Sequence, residues 1–254
     1  MEEKLVYTRT KTIQEDKVSG FCPGCMHGTV MKLIGEVLEE MDLVDRAACV
    51  LGIGCCGLQM DYMAYDNITS PHGRACAVAT GIKRTNPGTL VYTYQGDGDL
   101  ASIGLAETMS AANRGENISV IFINNGIYGM TGGQMAPTTL VGMKASTAPK
   151  GRDPKEHGYP MHMCEILNQL TAPVYLERTS CNNPANVRKT KAAIKKAFLN
   201  QLNGKGFSMV EIVTNCPTNW GTDALGSLEY LEQNMLKEFP LGVIRDKSLE
   251  EEGK

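Results

Sequence analysis

The sequence predicts an α/β protein built on a doubly wound, mostly parallel sheet, and three observations lead there. Five short apolar runs, Ala48–Ile53, Leu90–Gln95, Ile118–Ile123, Pro173–Glu177 and Ser208–Val213, are nearly continuous in aliphatic residues. Strands covered on both faces read this way. Helical stretches alternate with them, at Gly28–Met41, Arg74–Thr85, Leu100–Arg114 and Pro184–Asn203, with a last one near Gly226–Lys237. Strand–helix alternation implies parallel strands with helical crossovers. The chemically unusual residues follow the strands, at the carboxyl edge where such sheets bind ligands.

Each element has a local reason. Asn182-Asn183 before Pro184 supplies a cap and a first turn. The expected division is a polar N-terminal extension over 1–21, the main domain over 22–240 and a charged tail over 241–254, expected to be mobile from Asp246. One segment, Thr131–Pro160, is long, rich in Gly, Pro, Thr and Lys, and without period. Loops of that length are functional or disordered. Because Thr131-Gly132-Gly133-Gln134 opens it, directly after a proposed ligand segment, the reading is a loop that covers a cofactor; a mobile surface insertion is the alternative.

Composition excludes several classes. The 254 residues are 42% hydrophobic and 21% charged, which suits a globular core rather than a disordered chain. A net charge of −3, four histidines and one tryptophan offer nothing to nucleic acid. The polar Met1–Lys17 lacks a signal-peptide core, and the most apolar stretch, Ala47–Met60, is too short to span a bilayer. A soluble cytoplasmic protein without membrane or nucleic-acid partners is expected, and nine cysteines in a reducing compartment then suggest metal or redox chemistry. Cys49, Cys76, Cys164 and Cys181 stand singly and read as small buried hydrophobes.

Leu90–Gln95 ends in Gly96-Asp97-Gly98-Asp99 at a helix start. Glycines let backbone N–H groups approach an anion there. An acidic residue in that turn makes sense if a divalent cation lies between it and a diphosphate. Ile118–Ile123 ends in Asn124-Asn125-Gly126-Ile127-Tyr128-Gly129. Adjacent parallel strands would bring the Asp97 carboxylate, the Asn125 amide oxygen and the Ile127 carbonyl to one edge as metal ligands. Each motif alone is an ordinary turn sequence; paired at two strand ends, they resemble the thiamine-diphosphate motif. Gly52-Ile53-Gly54-Cys55-Cys56-Gly57 matches the dinucleotide fingerprint formally. Against it, a turn-like Asp66-Asn67 follows soon, Ala77 stands where an acid belongs, and two cysteines occupy the loop.

Cys22-Pro23-Gly24-Cys25 turns two thiolates toward one metal centre. No strand precedes it, which disfavours a thioredoxin-like use. Further donors stand at Cys55 or Cys56 and at Cys216, also at strand ends near the diphosphate site. Spacing separates neither zinc from iron–sulfur nor Cys55 from Cys56.

In order, Cys22-Pro23-Gly24-Cys25, Gly52-Ile53-Gly54-Cys55, His72-Gly73-Arg74-Ala75, Gly96-Asp97-Gly98-Asp99, Asn125 through Gln134 and Cys216-Pro217-Thr218 resemble the beta subunit of the 2-oxoacid:ferredoxin oxidoreductases over most of the chain. The resemblance implies a thiamine-diphosphate-binding fold carrying thiamine pyrophosphate, magnesium and one [4Fe-4S] cluster. It assigns Asp97, Asn125 and Ile127 to magnesium, and Cys22, Cys25, Cys55 and Cys216 to the cluster. Around the cofactor it places Gly54, Cys55, His72, Gly73, Arg74, Gly96, Gly98, Asp99, Tyr128, Gly129, Met130 and Thr131. His72 is the candidate catalytic group, with a helix-capping or core histidine as the alternative. Cys216-Pro217-Thr218-Asn219-Trp220 and Met135-Ala136-Pro137-Thr138-Thr139 look most like the branched-chain type, ahead of 2-oxoglutarate or pyruvate. The implied reaction is oxidative decarboxylation with coenzyme A, electrons passing through the cluster to ferredoxin. It implies an alpha subunit carrying the pyrimidine-side domain, and further small subunits. The competing reading is half of a non-redox thiamine decarboxylase or synthase with structural zinc; a zinc-stapled binding module is a third.

Overall fold

A computed structural model describes residues 8–248. The strands are β1 Ala47–Leu51, β2 Asp66–Thr69, β3 Leu90–Gly96, β4 Ser119–Asn124, β5 Ile127–Tyr128, β6 Gln134–Met135, β7 Tyr175–Ser180, β8 Ser208–Val213 and β9 Gly242–Asp246. The helices are α1 His27–Glu40, α2 Ala75–Thr85, α3 Leu105–Asn113, α4 Pro154–His157, α5 Met163–Leu167, α6 Pro184–Leu202, α7 Pro217–Trp220, α8 Ala224–Tyr230 and α9 Leu236–Glu238. Among the described residues, seven strands form one sheet in the order β2-β1-β3-β4-β8-β7-β9, and only β9 runs antiparallel.

Alternate residues of the central strands feed two cores. Cys49, Leu51, Tyr92, Tyr94, Ile121 and Ile123 face Val30, Ile34, Ile194 and Phe198 of α1 and α6. Val50, Val91, Val120 and Phe122 face Ala75, Ala79, Ala111 and Met163 of α2, α3 and α5. Burial on both faces is why these strands look continuously apolar in sequence. No helix of the described residues is long and apolar enough to cross a membrane.

The differences from expectation have physical causes. β2, read as a turn at Asp66-Asn67, is a polar edge strand with only partial cover, so it carries no apolar run. β9 corrects the tail boundary at 241: Gly242–Asp246 pairs antiparallel with β7 and is a largely exposed edge. Residues 1–7 and 249–254 lie outside the described residues, while Ile13 of the N-terminal extension packs with Met31 and Met63. β7 begins two residues after Pro173, which has no N–H for a ladder, and continues through polar residues. Its Arg178 is fully buried because Glu211 Oε2 lies 2.9 Å from Nε and Glu165 Oε1 2.8 Å from Nη1.

The helix expected over Leu100–Arg114 is broken in two. A π-helical turn, Gly98–Ile103, precedes α3, with Gly104 N–H bonded to Asp99 O at 2.8 Å. A Cβ on Gly104 would sit 2.6 Å from Gly73 O, so the wide turn brings two glycine backbones into contact. Such turns gather at functional sites. The 131–160 segment is ordered around the buried Arg152, whose guanidinium donates to the carbonyls of Pro137 and Thr139 (2.8 and 2.7 Å) and of Gly158 and Tyr159 (2.8 and 2.7 Å).

The Arg178–Glu211 pair also supports the site, since Asn124 Nδ2 donates to Glu211 Oε1 at 2.8 Å, one residue before Asn125. Arg178→Met strands a buried carboxylate and is expected to lower unfolding free energy in urea by about 3–5 kcal/mol. Adding Glu211→Gln should recover part of that loss. A single-variant loss below about 1 kcal/mol would mean that the pair does not organise this edge.

Candidate active site

β3 and β4 are neighbours in parallel register, Gly96 opposite Ile123, so the residues just past their ends meet. Asp97 is buried. Its Oδ2 accepts from Thr138 Oγ1 at 2.6 Å and its Oδ1 from Gly98 N at 2.8 Å, with the amides of Gly126 and Ile127 also directed at it. Burial lifts its carboxyl to about 6 in spite of these donors. Asn125 Oδ1 accepts from Ile127 N at 3.2 Å. Asp97, Asn125 and Ile127 line one cavity, and a carboxylate with amide and carbonyl oxygens is a hard donor set of the kind that suits magnesium.

Of the residues that sequence reasoning assigned to the cofactor, all but Gly73 and Arg74 line one cavity of about 100 Å³. Gly73 acts behind the wall: its N–H donates to Asp99 Oδ1 at 2.8 Å. Arg74 turns away, to Glu107 Oε1 at 2.8 Å and Ile103 O at 3.2 Å. Asp99 gathers the surrounding loops, accepting from Ile53 N at 3.1 Å and Gln95 Nε2 at 2.7 Å. His72 Nδ1 lies 2.7 Å from Asp99 Oδ1, a close contact whose direction does not make an aligned hydrogen bond. Tyr128 lies across Gly98, its hydroxyl donating to Gly98 O at 3.1 Å.

The cysteines separate as their surroundings dictate. Cys22, Cys25, Cys55 and Cys216 line a second cavity of about 390 Å³ with an apolar wall that includes Phe21, Leu58 and Met130. Burial pushes the Cys25 thiol up to about 11 and that of Cys55 to about 12, with the neighbouring thiols adding to both. Cys56 is inside the core at 1% exposure, because a 3₁₀ turn over Cys55–Gln59 points consecutive side chains apart. Cys49, Cys76, Cys164 and Cys181 are buried, and all nine thiols are free. Among the described residues, no three His, Cys, Asp or Glu side chains converge closely enough to hold one metal ion.

The two cavities share His27, Cys55, Asn125, Gly129 and Met130. A Cβ on Gly129 would lie 3.4 Å from Cys55 Sγ and 3.6 Å from Cys216 Sγ. Sequence reasoning missed several contributors. His27 is buried with Nδ1 2.6 Å from Tyr94 Oη, its ring stacked on Phe21, and burial lowers its pKa to about 4. Asn215 ties the Cys22–Cys25 turn to the end of β8: its Oδ1 accepts from Met26 N at 3.1 Å and its Nδ2 donates to Gly24 O at 3.0 Å. Its position beside Cys216 was the available signal. Thr138, forty-one residues from Asp97, gave none.

The thiamine pyrophosphate enzyme family, in its C-terminal TPP-binding domain, matches residues 52–212. The ketoisovalerate oxidoreductase subunit VorA of Methanothermobacter thermautotrophicus is 51% identical over 91% of this chain and 49% of its own length. The 2-oxoglutarate synthase subunit KorB of Methanocaldococcus jannaschii is 36% identical over 95% of this chain and 86% of its own. The solved 2-oxoglutarate:ferredoxin oxidoreductase of Magnetococcus marinus, with 2-oxoglutarate, coenzyme A and succinyl-CoA bound, superposes with a TM-score of 0.77 at 24% identity, over 96% of this chain and 86% of that one. That likeness shows the same fold. The chain therefore belongs to the thiamine pyrophosphate-binding subunits of the 2-oxoacid:ferredoxin oxidoreductase family. It spans about half the length of the VorA relatives it matches.

Gly98 is required by the ring laid over it, since an added Cβ would overlap Tyr128. Gly98→Ala is expected to cost about 1–3 kcal/mol in chemical denaturation. Tyr128→Ala should remove most of that penalty in the double variant, a coupling that independent sites would not show.

Proposed function

We propose that this chain is the cofactor-binding subunit of a 2-oxoacid:ferredoxin oxidoreductase that converts a 2-oxoacid and coenzyme A to acyl-CoA and CO2. The observation that carries the proposal is the wall shared by the oxygen-lined cavity and the thiol-lined one, at Cys55, Gly129 and Met130. Decarboxylation leaves an electron pair that must exit, and a redox site abutting the diphosphate site provides the exit. A branched-chain 2-oxoacid is favoured, because identity to relatives named for ketoisovalerate is 51% and 50%, against 34% to 37% for relatives named KorB.

Thiamine pyrophosphate, when bound, supplies an electron sink for the carbanion left by CO2 loss. This chain's residues hold and orient. The Asp97 carboxylate, the Asn125 amide oxygen and the Ile127 carbonyl would bind magnesium and through it the diphosphate. Thr138 fixes the direction of the Asp97 carboxylate. His72 is the candidate catalytic ring at the cavity, beside Asp99. Cys22, Cys25, Cys55 and Cys216 would hold one [4Fe-4S] cluster, which supplies a one-electron path to ferredoxin. A tetrahedral zinc, with Zn–S near ~2.3 Å, needs its thiolates converged on one point. These four ring one cavity of about 390 Å³, which has room for a polynuclear group. The relatives are named as subunits. An alpha subunit with the pyrimidine-side domain, and further small subunits, would complete the enzyme.

Iron and acid-labile sulfide should each reach about four per chain in anaerobically purified protein, with an EPR signal after dithionite. Stoichiometric zinc with neither iron nor sulfide would overturn the electron-transfer reading. Asp97→Asn is expected to weaken magnesium-dependent thiamine pyrophosphate binding by on the order of 100-fold in calorimetry while leaving iron content unchanged. Undiminished affinity would remove Asp97 from the metal site.

A further inference from the structure

Asn219 lies on α7, three residues after Cys216. Its Nδ2 donates to Gly129 O at 2.7 Å and lies 3.4 Å from Cys216 Sγ. Its backbone N–H is also directed at the Cys216 sulfur. Its Oδ1 stands 3.1 Å from where a Gly133 side chain would begin, so the amide is packed against backbone at that end too. One side chain thus joins a thiol of the second cavity to the Gly129 carbonyl in the wall of the first.

The residue type matches the task. An amide nitrogen has two hydrogens and can serve a carbonyl and a sulfur at once. Asp would place an acceptor against two acceptors, and Ser has a single hydrogen on a shorter stem. An N–H directed at a ligating sulfur stabilises the more negative, reduced state of an iron–sulfur centre and so raises its potential. Resting on the reading that these thiols hold a cluster, we propose that Asn219 is a positioning residue which clamps the Gly129 segment against the cysteine cavity and, through its N–H groups, raises the reduction potential of the centre held by Cys216.

The test compares the assembled complex with its Asn219→Leu form in a potentiometric titration followed by EPR. Full iron with a shift to lower potential is expected of the variant; full iron with an unchanged potential overturns the proposal. Because leucine could cost the cluster its site, a second measurement uses the wild type alone, with ¹⁵N in the asparagine side chains. A ¹⁵N coupling to the reduced cluster, removed by Asn219→Ser, is expected, and its absence in the wild type overturns the proposal. A merely structural role would move neither reading. A wild-type complex without iron defeats the cluster assignment itself and the proposal with it, and iron analysis separates that outcome from the others.

Discussion

The buried carboxylate of Asp99 is the point on which this edge of the sheet depends. It accepts hydrogen bonds from Ile53 N, Gly73 N and Gln95 Nε2, and it lies against the ring of His72. Those groups belong to the loop after β1, the turn before α2, and β3. β1 and β3 are neighbours in the sheet, and the shared acceptor ties the turn at His72 and Gly73 to their ends. A charge at 2% exposure is tolerable because its oxygens are met by donors. Gly52 follows from the same carboxylate, since a Cβ there would lie 2.5 Å from Asp99 Oδ2. The π-helical turn follows as well: it places Asp99 inside the protein and Gly104 on Gly73.

Two acids two residues apart therefore serve opposite purposes. Asp99 is turned inward and fully engaged with the protein. Asp97 is also engaged, but by a hydroxyl and amides, and burial leaves its carboxyl raised. A carboxylate in that condition is stabilised by a cation more than by another neutral donor. Sequence analysis assigned Asp97 to the metal, but the anchoring role of Asp99 was not legible in Gly-Asp-Gly-Asp, because its donors come from loops distant in sequence.

What the sequence revealed followed from local rules. Strands buried on both faces are apolar throughout, so β1, β3, β4 and β8 were readable. Ligands collect past the ends of such strands, which singled out Asp97, Asn125, Cys55 and Cys216 as candidates, while Cys22 and Cys25 stood out by their Cys-x-x-Cys spacing alone. The polar edge strands β2 and β9 obey neither rule. The second half of β7 was hidden because Arg178 is buried by partners 13 and 33 residues away. Thr138, Asn215 and Asn219 act through side-chain bonds to distant backbone or carboxylate groups, and no periodicity encodes that. Arg74 misled for the reverse reason: its neighbours face the site, but its own guanidinium reaches Glu107 on α3.

The joining of the two cavities can be traced to strand order. Cys55 follows β1, Asp97 follows β3, Asn125 follows β4 and Cys216 follows β8, and these four strands are consecutive in the sheet. At about 4.8 Å between strands, the chain positions leading to Cys55 and Cys216 are separated by roughly 14 Å at the sheet edge. For both thiols to reach one cavity, their loops must lean inward over the ends of β3 and β4. The 3₁₀ turn at Cys55 and the start of α7 at Cys216 do this. The segment leaving β4 then runs beside both sulfurs, and a Cβ at Gly129 would be in van der Waals contact with Cys55 Sγ and Cys216 Sγ. The oxygen-lined cavity at the ends of the two middle strands and the thiol-lined cavity fed by the two flanking ones therefore share a wall by construction.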